Sequence, residues 1–238
     1  MYFLSFETST KIFSLALSQD EKVLRHRNLK SASVLEDAIL PAIDKILEAQ
    51  KIKFSQIDGF AIALGPGSFT SLRVGLSTTK AFAMSTHKPV VGIPSLDIIA
   101  AGIKNMSSPN ASVGDLDEIC VITDARRGKV YSCRYDANGR KGDYLLTTLD
   151  DVLDKVHGKT LFVGDAIALY RKDIETAYKK ATGSCKCFFA DEKFWLPNAK
   201  VMAGLANQRF KNKDHDDAAK LLPLYLYPQD CQVSGHGR

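Results

Sequence analysis

Long apolar runs, paired cysteines and a basic leader are all missing from this sequence of 238 residues. Glu7, Asp58 and Arg73 interrupt its apolar segments before any of them reaches the length needed to cross a bilayer. No basic region precedes the short apolar run at the N-terminus, so this run reads as a first strand and not as a signal peptide. The five cysteines are odd in number and include no CxxC pair, which favours reduced thiols. These absences predict a cytoplasmic protein without membrane contact.

The usual constellations of catalytic side chains are also lacking. The histidines are isolated, and no HxxxH or HExxH pair could hold a metal on one helix face. No Gly-x-Ser-x-Gly elbow is present, since Gly67-Ser68 lacks the second glycine. No nucleophile has a base beside it. The sequence therefore gives no support to a metallopeptidase or a serine hydrolase.

A strong charge imbalance is missing as well. The net charge is +5, from 32 basic and 27 acidic residues, and the isoelectric point is near 8.8. This value is just below the level at which a domain reads as a nucleic-acid binder on charge alone. The basic residues are scattered, and no aromatic residues interleave with them as a stacking platform. Solvated faces explain the basic clusters better than a direct tRNA-binding surface does.

The most informative feature that is present is the stretch at 65–75, which reads Gly-Pro-Gly-Ser-Phe-Thr-Ser-Leu-Arg-Val-Gly. A P-loop would need a glycine, four further residues and then Gly-Lys-Ser/Thr, as in the P-loop motif. A Rossmann fingerprint would need a third glycine where Thr70 stands. Both tests fail. The junction is then either a phosphate cradle at a helix N-terminus, with Ser68, Thr70 or Ser71 as cap, or a tight packing turn.

Hydrophobic periodicity predicts the same order of elements in both halves of the chain: three strands, then helix, strand, helix, strand, helix. The strands are predicted at 2–6, 12–17, 22–29, 59–64 and 89–93, and again at 118–123, 129–136, 143–147, 160–164 and 186–190. The helices are predicted at 33–48, 70–85 and 95–103, and at 149–156, 165–181 and 198–212. Three antiparallel strands followed by right-handed crossovers give a mixed sheet flanked by helices. We therefore predict an α/β fold of two similar subdomains, which resembles the superfamily of actin, the large heat-shock chaperones and the sugar kinases.

The boundaries of these subdomains follow from composition. The segment 105–117 is rich in Ser, Asn, Pro and Gly and reads as a connector, which gives subdomains at 1–104 and 118–230. Residues 231–238 are predicted as a flexible tail. A capping box at Ser33–Glu36 opens the first helix, and Leu221–Tyr227 is expected to return to the first half as a strand or a helix.

The first hairpin carries only part of the chemistry of that superfamily. Its enzymes resemble one another in an Asp-x-Gly-Thr-like turn, whereas this turn begins with Glu7 and contains no glycine. Ser9 and Thr10 could donate hydrogen bonds to an anion or could form an ordinary turn between strands. In the second half, Asp124 could act as a phosphate-binding acid, but Gly128 fits better as the close of a hairpin turn.

Several segments together resemble the bacterial TsaB (YeaZ) family. They are Glu7–Thr10, Leu40–Pro41, Gly65–Gly75, Asp124–Tyr131, Val163–Asp165 and Pro223–Leu226, and they span nearly the whole chain. TsaB proteins resemble the catalytic subunit TsaD but lack its metal-binding HxxxH, which is absent from this chain too. The chain departs from the family at Glu7, where many relatives have Asp, and at Ser71, where Gly is usual.

The resemblance implies a non-catalytic scaffold subunit in the synthesis of threonylcarbamoyladenosine, the modified base beside the anticodon of tRNAs that read codons beginning with A. In that family TsaD transfers the threonylcarbamoyl group from its adenylate to the adenine amine, TsaB binds TsaD, and the ATPase TsaE joins them. The resemblance implies no metal and no cofactor for the chain alone, with ATP or ADP held by the assembled complex. It also implies that the chain contacts tRNA only as part of the complex, and that it forms a homodimer when alone.

Candidate residues follow from the same resemblance, because in this family the first long helix and the helix after the glycine-rich turn pack against the partner. The partner-facing candidates are Leu35, Ile39, Ile43, Leu72, Gly75, Leu76 and Lys80, with Gly75 allowing a close helix approach. The alternative is that these apolar positions face the protein's own sheet. A vestigial nucleotide site would comprise Glu7, Ser9, Thr10, Gly65, Gly67 and Ser68.

Two enzymatic functions remain as alternatives to the scaffold. An ATP-dependent kinase or ATPase of the same superfamily would need an Asp and a Gly in the first hairpin, and neither is present. A glycoprotease-like peptidase would need a metal site, and no histidine pair supplies one.

Overall fold

The computed structural model describes residues 1–30, 35–103, 116–180 and 185–227, which form two five-stranded sheets with helices on their faces. The strands are β1 (Tyr2–Glu7), β2 (Ile12–Gln19), β3 (Lys22–Lys30), β4 (Ile57–Ala63), β5 (Val90–Ile93), β6 (Glu118–Arg126), β7 (Lys129–Asp136), β8 (Gly139–Thr147), β9 (Lys159–Val163) and β10 (Lys186–Phe189). The helices are α1 (Leu35–Glu48), α2 (Phe69–Thr86), α3 (Ser95–Ile103), α4 (Leu149–Leu153), α5 (Ile167–Lys180) and α6 (Ala199–Lys211).

The first sheet has the strand order β3-β2-β1-β4-β5, with β1 antiparallel to β2 and parallel to β4. Helices cover both of its faces. On one face Leu4 and Phe6 pack with residues of α1 such as Ile39. On the other face Phe3 stacks on Phe210 of α6, with 4.2 Å between the ring centroids. This two-sided burial explains why β1 and β4 read as continuous apolar runs.

The second sheet has the order β10-β9-β6-β7-β8 and repeats the arrangement of the first. The side chains of β6 alternate between two clusters. Cys120 and Ile122 pack with α4 and α5, whereas Ile119 and Val121 pack with α3. The strand is therefore buried on both faces, like its counterpart β1.

Helices α3 and α6 lie between the two sheets, and each covers the sheet that the other half of the chain builds. The carboxylate of Asp97 on α3 accepts hydrogen bonds from the hydroxyls of Tyr135 at 2.6 Å and Tyr144 at 2.7 Å, which fasten this helix to the second sheet. Each sheet is thus contiguous in sequence, but each core is shared by both halves. The domain boundaries drawn from composition stay a prediction.

The predicted α/β fold with two mixed, helix-flanked sheets is confirmed, and the corrections concern element ends. β8 begins at Gly139 and not at 143, because a tight turn follows Asp136, whose side chain accepts the N–H of Asn138 at 2.8 Å. α4 ends at Leu153 and not at 156. Ser33 and Val34 of the predicted capping box, most of the connector and the tail lie outside the described residues. Within the described ranges, no helix combines the length and the apolar character needed to cross a membrane.

Candidate functional site

The glycine-rich turn joins the carboxyl end of β4 to the amino end of α2. Gly65 has a φ angle of +87°, the Gly65–Pro66 peptide is cis, and Ser68 precedes the first helical residue. The Ser68 hydroxyl lies 3.0 Å from the Ser71 hydroxyl and makes no capping hydrogen bond to the helix. The turn therefore presents the start of α2 at the carboxyl edge of the first sheet, where α/β folds bind their ligands.

This turn packs directly on the first hairpin. The backbone N–H of Ser68 donates to the carbonyl oxygen of Ser9 at 2.8 Å. A Cβ atom added to Gly67 would lie 2.2 Å from the same oxygen, so only glycine fits there. The close approach that a phosphate cradle would offer to an anion is made here by the protein's own backbone. Of the two interpretations of the glycine-rich stretch, the structure supports the packing turn.

We call the contact between the glycine-rich turn and the first hairpin the joint. The Glu7 carboxylate lies at its centre and is fully buried. Its Oε1 accepts the backbone N–H of Ser9 at 2.5 Å, and its Oε2 lies 3.5 Å from the hydroxyl of Ser95. Burial away from water raises the pKa of Glu7 to about 7, although the hydrogen bonds from Ser9 and Ser95 oppose that rise. Among the described residues, no cation forms an ion pair with Glu7, and desolvation is the largest cause of its raised pKa.

Ser95 links a third segment to the joint. Its backbone N–H donates to the carbonyl oxygen of Gly65 at 2.8 Å, so the start of α3 touches both the glycine-rich turn and Glu7. Sequence reasoning missed this residue. The only local signal was a serine after Pro94 at the beginning of a helix, and it pointed to no particular neighbour.

Helix α2 also lies against the hairpin at Gly75. A Cβ atom added to Gly75 would lie 2.3 Å from Oγ1 of Thr8, whose side chain is 1% exposed. Within the described residues, that Oγ1 atom has no hydrogen-bond partner. Gly75 therefore allows a close approach inside the protein, and its close approach to a partner helix stays a prediction.

Five of the six residues predicted for a vestigial nucleotide site meet at this joint: Glu7, Ser9, Gly65, Gly67 and Ser68. Thr10 turns away, and its hydroxyl contacts the backbone N–H and carbonyl of Ile12, both at 3.2 Å. Ser9 contacts Glu7, Gly67 and Ser68, and the carbonyl of Gly65 accepts from Ser95, so a nucleotide here would have to displace these contacts. Nucleotide binding at these positions stays a prediction.

The second hairpin has the turn that its sequence indicated. Arg126, Arg127 and Gly128 all have positive φ angles between β6 and β7, and the hairpin interpretation of Gly128 is confirmed. Asp124 pairs with Arg126 at 3.0 Å, and its own backbone N–H donates to the carboxylate of Asp165 at 2.9 Å. Burial raises the pKa of Asp165. Both acids are thus engaged in holding the hairpin.

A segment that we call the C-terminal strap, residues Asp216–Tyr227, runs from one sheet to the other. It begins against β5, where the side chain of Asp216 accepts the backbone N–H of Gly92 at 2.7 Å. The N–H of Leu224 donates to the carbonyl of Leu64 at 2.8 Å, directly before the glycine-rich turn. The hydroxyl of Tyr227 donates to the carbonyl of Ala125 at 2.8 Å, next to the second hairpin.

The strap therefore crosses the carboxyl edges of both sheets, which is the crevice where this type of fold places ligands. Lys80 of α2 secures it, because its Nζ donates to the carbonyl oxygens of Ala219 at 3.0 Å and Leu221 at 3.1 Å. The expectation of a strand or helix at Leu221–Tyr227 is wrong, since the segment is neither, but its return to the first half is confirmed. Among the described residues, no three His, Cys, Asp or Glu side chains are grouped to hold a metal ion.

Comparison with known proteins agrees with this geometry. Residues 30–233 match the family model of TsaD, tRNA N6-adenosine threonylcarbamoyltransferase. The tRNA threonylcarbamoyladenosine biosynthesis protein TsaB of Haemophilus influenzae is 27% identical over 94% of this chain and 92% of its own length. The solved structure of YeaZ from Pseudomonas aeruginosa superposes with a TM-score of 0.73 at 20% identity, over 94% of this chain and 99% of that one.

The chain belongs to the TsaB family, within the wider group that the TsaD model describes. A ROK hexokinase from Thermus thermophilus is a more distant neighbour, with a TM-score of 0.52 at 8% identity over 87% of this chain and 100% of that one. This likeness shows the fold alone, and it agrees with the two-subdomain architecture shared with the sugar kinases.

The family resemblance predicted a set of partner-facing residues, and the structure shows where each one lies. Leu35, Ile39, Ile43, Leu72 and Leu76 are between 1% and 9% exposed. Most of them pack in the cluster that covers the first sheet, because the apolar stripe of an amphipathic helix faces its own core. Gly75 faces Thr8, and Lys80 binds the strap. Contact between these seven residues and a partner stays a prediction. Because the apolar ones are buried, a partner would meet the exposed side chains of the same helices first.

Those other side chains form what we call the outer α1–α2 surface: Leu40, Pro41, Ser77, Ala81 and Met84, all exposed. Both helices pack on the same face of the first sheet, so their outward sides form one surface. Leu40 is 56% exposed and Met84 is 54% exposed, whereas Ser77 and Ala81 are small. Small residues between larger apolar ones suit the close packing of another helix.

Proposed function

We propose that this chain is a non-catalytic partner subunit in the threonylcarbamoylation of tRNA, and that it binds a TsaD-like catalytic subunit. The catalytic subunit transfers the threonylcarbamoyl group to the adenosine beside the anticodon in tRNAs that read codons beginning with A. In this proposal the chain contributes no reacting group. Its contribution is to bind the catalytic subunit and hold it in the active conformation.

The observation that carries the proposal is the filled crevice. The backbone of Ser9 lies directly against Gly67, so the glycine-rich turn is packed on the protein's own hairpin, and the strap crosses the edges of both sheets. The wider family includes a transferase, but the chain has no HxxxH pair to hold that enzyme's metal. A chain with a kinase-like fold and a crevice closed by its own backbone fits a binding role better than a catalytic one.

The outer α1–α2 surface is the proposed contact with the catalytic subunit. Helix packing against such a surface resembles the contacts by which α1 and α2 already cover the first sheet, with apolar side chains around small ones. We further propose that a TsaE-like ATPase joins the assembled complex, with ATP or ADP bound there. In the absence of the catalytic subunit, the same surface pairs two copies of this chain.

The experiment is a reconstitution with purified proteins from the same organism. The readout is the threonylcarbamoyl group transferred to a tRNA transcript by the TsaD-like subunit, with and without this chain. Leu40→Glu and Met84→Glu place charges on the outer surface and should abolish the stimulation. Leu169→Glu is the matched control, since Leu169 is 61% exposed on α5, a helix of the second half of the chain. Transfer that is independent of this chain, or transfer by this chain alone, would refute the proposal.

A further inference from the structure

A compact aromatic-arginine patch lies where the start of α2 meets the strap. It consists of Phe69, Arg73 and Tyr225. Phe69 is 52% exposed and Tyr225 is 45% exposed, and their ring centroids are 5.4 Å apart. The strap adds Leu222, three positions earlier, which is 70% exposed. Large apolar side chains are thus held at the surface by two segments that are distant in sequence.

Arg73 stacks on Phe69 and also contacts Tyr225. Its guanidinium carbon lies 3.8 Å from the centroid of the Phe69 ring and 6.0 Å from that of Tyr225. Its Nε donates to the hydroxyl of Tyr225 at 3.0 Å. Stacking and one hydrogen bond therefore fix the plane of the guanidinium, and its two terminal nitrogens make no hydrogen bond to the described residues. Within the described part of the chain, no carboxylate forms an ion pair with Arg73.

The neighbouring cations are already engaged. Lys80, two turns further along α2, donates to two carbonyl oxygens of the strap. Lys220 of the strap pairs with Asp217 at 3.6 Å. Among the described residues of α2 and the strap, Arg73 is then the cation whose charge contacts no carboxylate and no backbone carbonyl. A single oriented guanidinium beside apolar rings fits one carboxylate next to an apolar side chain, whereas a nucleic-acid backbone needs a row of cations for its successive phosphates.

The position of Arg73 connects the patch to the proposed contact surface. Phe69, Arg73, Ser77 and Ala81 recur every four residues and so lie along one side of α2. The last two belong to the outer α1–α2 surface. Arginine and tyrosine are also among the residues that most often dominate the energy of protein interfaces, because they bring large contact area together with directed hydrogen bonds.

We propose that the aromatic-arginine patch binds an Asp or Glu side chain of the catalytic subunit, with the carboxylate on the terminal nitrogens of Arg73 and an adjacent apolar residue against Phe69 and Tyr225. This inference rests on the proposed function and names the chemistry by which the partner is recognised. A carboxylate paired with a stacked guanidinium is held in a defined orientation, so the patch fixes the register of the two subunits.

The test is the dissociation constant between this chain and the TsaD-like subunit, measured by isothermal titration calorimetry at low and moderate salt. Arg73→Met keeps the length and apolar character of the side chain but removes its charge and donors. We expect it to weaken binding by about 10- to 100-fold. Arg73→Lys should recover only part of the loss, because an ammonium cannot make the planar two-point contact.

Arg171→Met is the matched control. Arg171 lies on α5 in the second half of the chain, and its guanidinium carbon is 4.5 Å from the centroid of the Phe189 ring. The Arg171→Met substitution should leave the affinity unchanged. Circular dichroism melting of each variant shows that the fold is retained, since Arg73 lies at the surface and supports no core residue.

The outcomes separate the inference from the function on which it rests. If the wild-type chain does not bind the subunit, the proposed function fails and the inference fails with it. If the wild type binds and Arg73→Met binds equally well, the inference is overturned and the function stands. If Arg73→Met retains its affinity for the protein but the complex retains less labelled tRNA in a gel-shift assay, the patch recognises phosphate, which also overturns the proposed carboxylate.

Discussion

The backbone N–H of Ser68 and the carbonyl oxygen of Ser9 are joined by a hydrogen bond of 2.8 Å, which fastens the glycine-rich turn to the first hairpin. The two residues are far apart in sequence, and their contact packs the turn against the protein's own backbone. The most conspicuous motif of the sequence is therefore used for internal packing.

Gly67→Ala should destabilise the protein by about 2 kcal/mol or more, because the added methyl group would collide with backbone that cannot move away. The free energy of unfolding, measured in urea, gives the result. Gly204→Ala is the control, since Gly204 lies exposed on α6 with open space around its Cβ position. That change should stabilise the helix by about 0.5–1 kcal/mol. Equal stability of Gly67→Ala and the wild type would show that the joint is looser than described.

Gly75→Ala should destabilise the protein through its contact with Thr8, and a double-mutant cycle can isolate that contact. Oγ1 and Cγ2 of Thr8 are the two atoms nearest to the added Cβ, at 2.3 and 2.7 Å. Thr8→Ala removes both atoms, so Gly75→Ala should cost about 1–2 kcal/mol less in that background than in the wild type. An equal cost in the two backgrounds would mean that the strain at Gly75 has another source.

Glu7→Gln should stabilise the protein at neutral and alkaline pH. The pKa of Glu7 rises from its ordinary value of 4.5 to about 7 on folding. Between these two pH values the folded state therefore keeps a proton that the unfolded chain has lost. Stability contributed by this group is present below pH 4.5 and is lost as the pH rises through 7, at a cost of about 3 kcal/mol. Glutamine stays neutral and avoids that loss.

Urea unfolding of Glu7→Gln across pH 4 to 8.5 checks this prediction, where the pH limits are roughly those that bracket the titration. The difference from the wild type should be small at the acid end and should grow to its full value above neutrality. Glu48→Gln is the control, because Glu48 is exposed at the end of α1. A difference that is constant with pH would show that Glu7 does not titrate in this range.

Lys80→Met should loosen the strap while leaving the two sheets intact. The variant keeps the aliphatic stem of the side chain but removes the donors to the carbonyls of Ala219 and Leu221. Amide hydrogen exchange in the strap should become faster by about tenfold, and exchange in β1 and β4 should not change. Lys45→Met, at an exposed position of α1, should alter neither region. Unchanged exchange in the strap would show that Lys80 does not secure it.

Sequence reasoning located the elements well because their signals are local. Alternating and helical periodicities, together with turn residues, define β1, β2 and α2 without any knowledge of their neighbours. The same signals could not tell which face of α1 or α2 points inward. Ile39 and Leu76 have the spacing of an amphipathic helix whether the apolar side meets a sheet or a partner, and in the structure it meets the sheet.

The features that define the candidate site depend on contacts between distant parts of the chain. The hydroxyl of Tyr227 reaches the carbonyl of Ala125 across 102 residues, and Ser95 reaches Glu7 across 88. No composition or periodicity at either position encodes its partner. For the same reason, the sequence did not predict that α3 covers the second sheet and α6 covers the first. The sequence singled out Glu7, Ser9 and the glycine-rich turn as separate motifs, but it predicted neither the burial of Glu7 nor the contact between Ser9 and the turn.

Binding of this chain to a TsaD-like catalytic subunit can be measured by size-exclusion chromatography with light scattering. The chain is mixed with that subunit from the same organism, with and without the TsaE-like ATPase and ATP. We expect a complex that contains both proteins, with a mass different from that of the proposed homodimer. Two separate peaks, together with ATP hydrolysis by this chain alone, would refute this binding and favour a kinase-like enzyme.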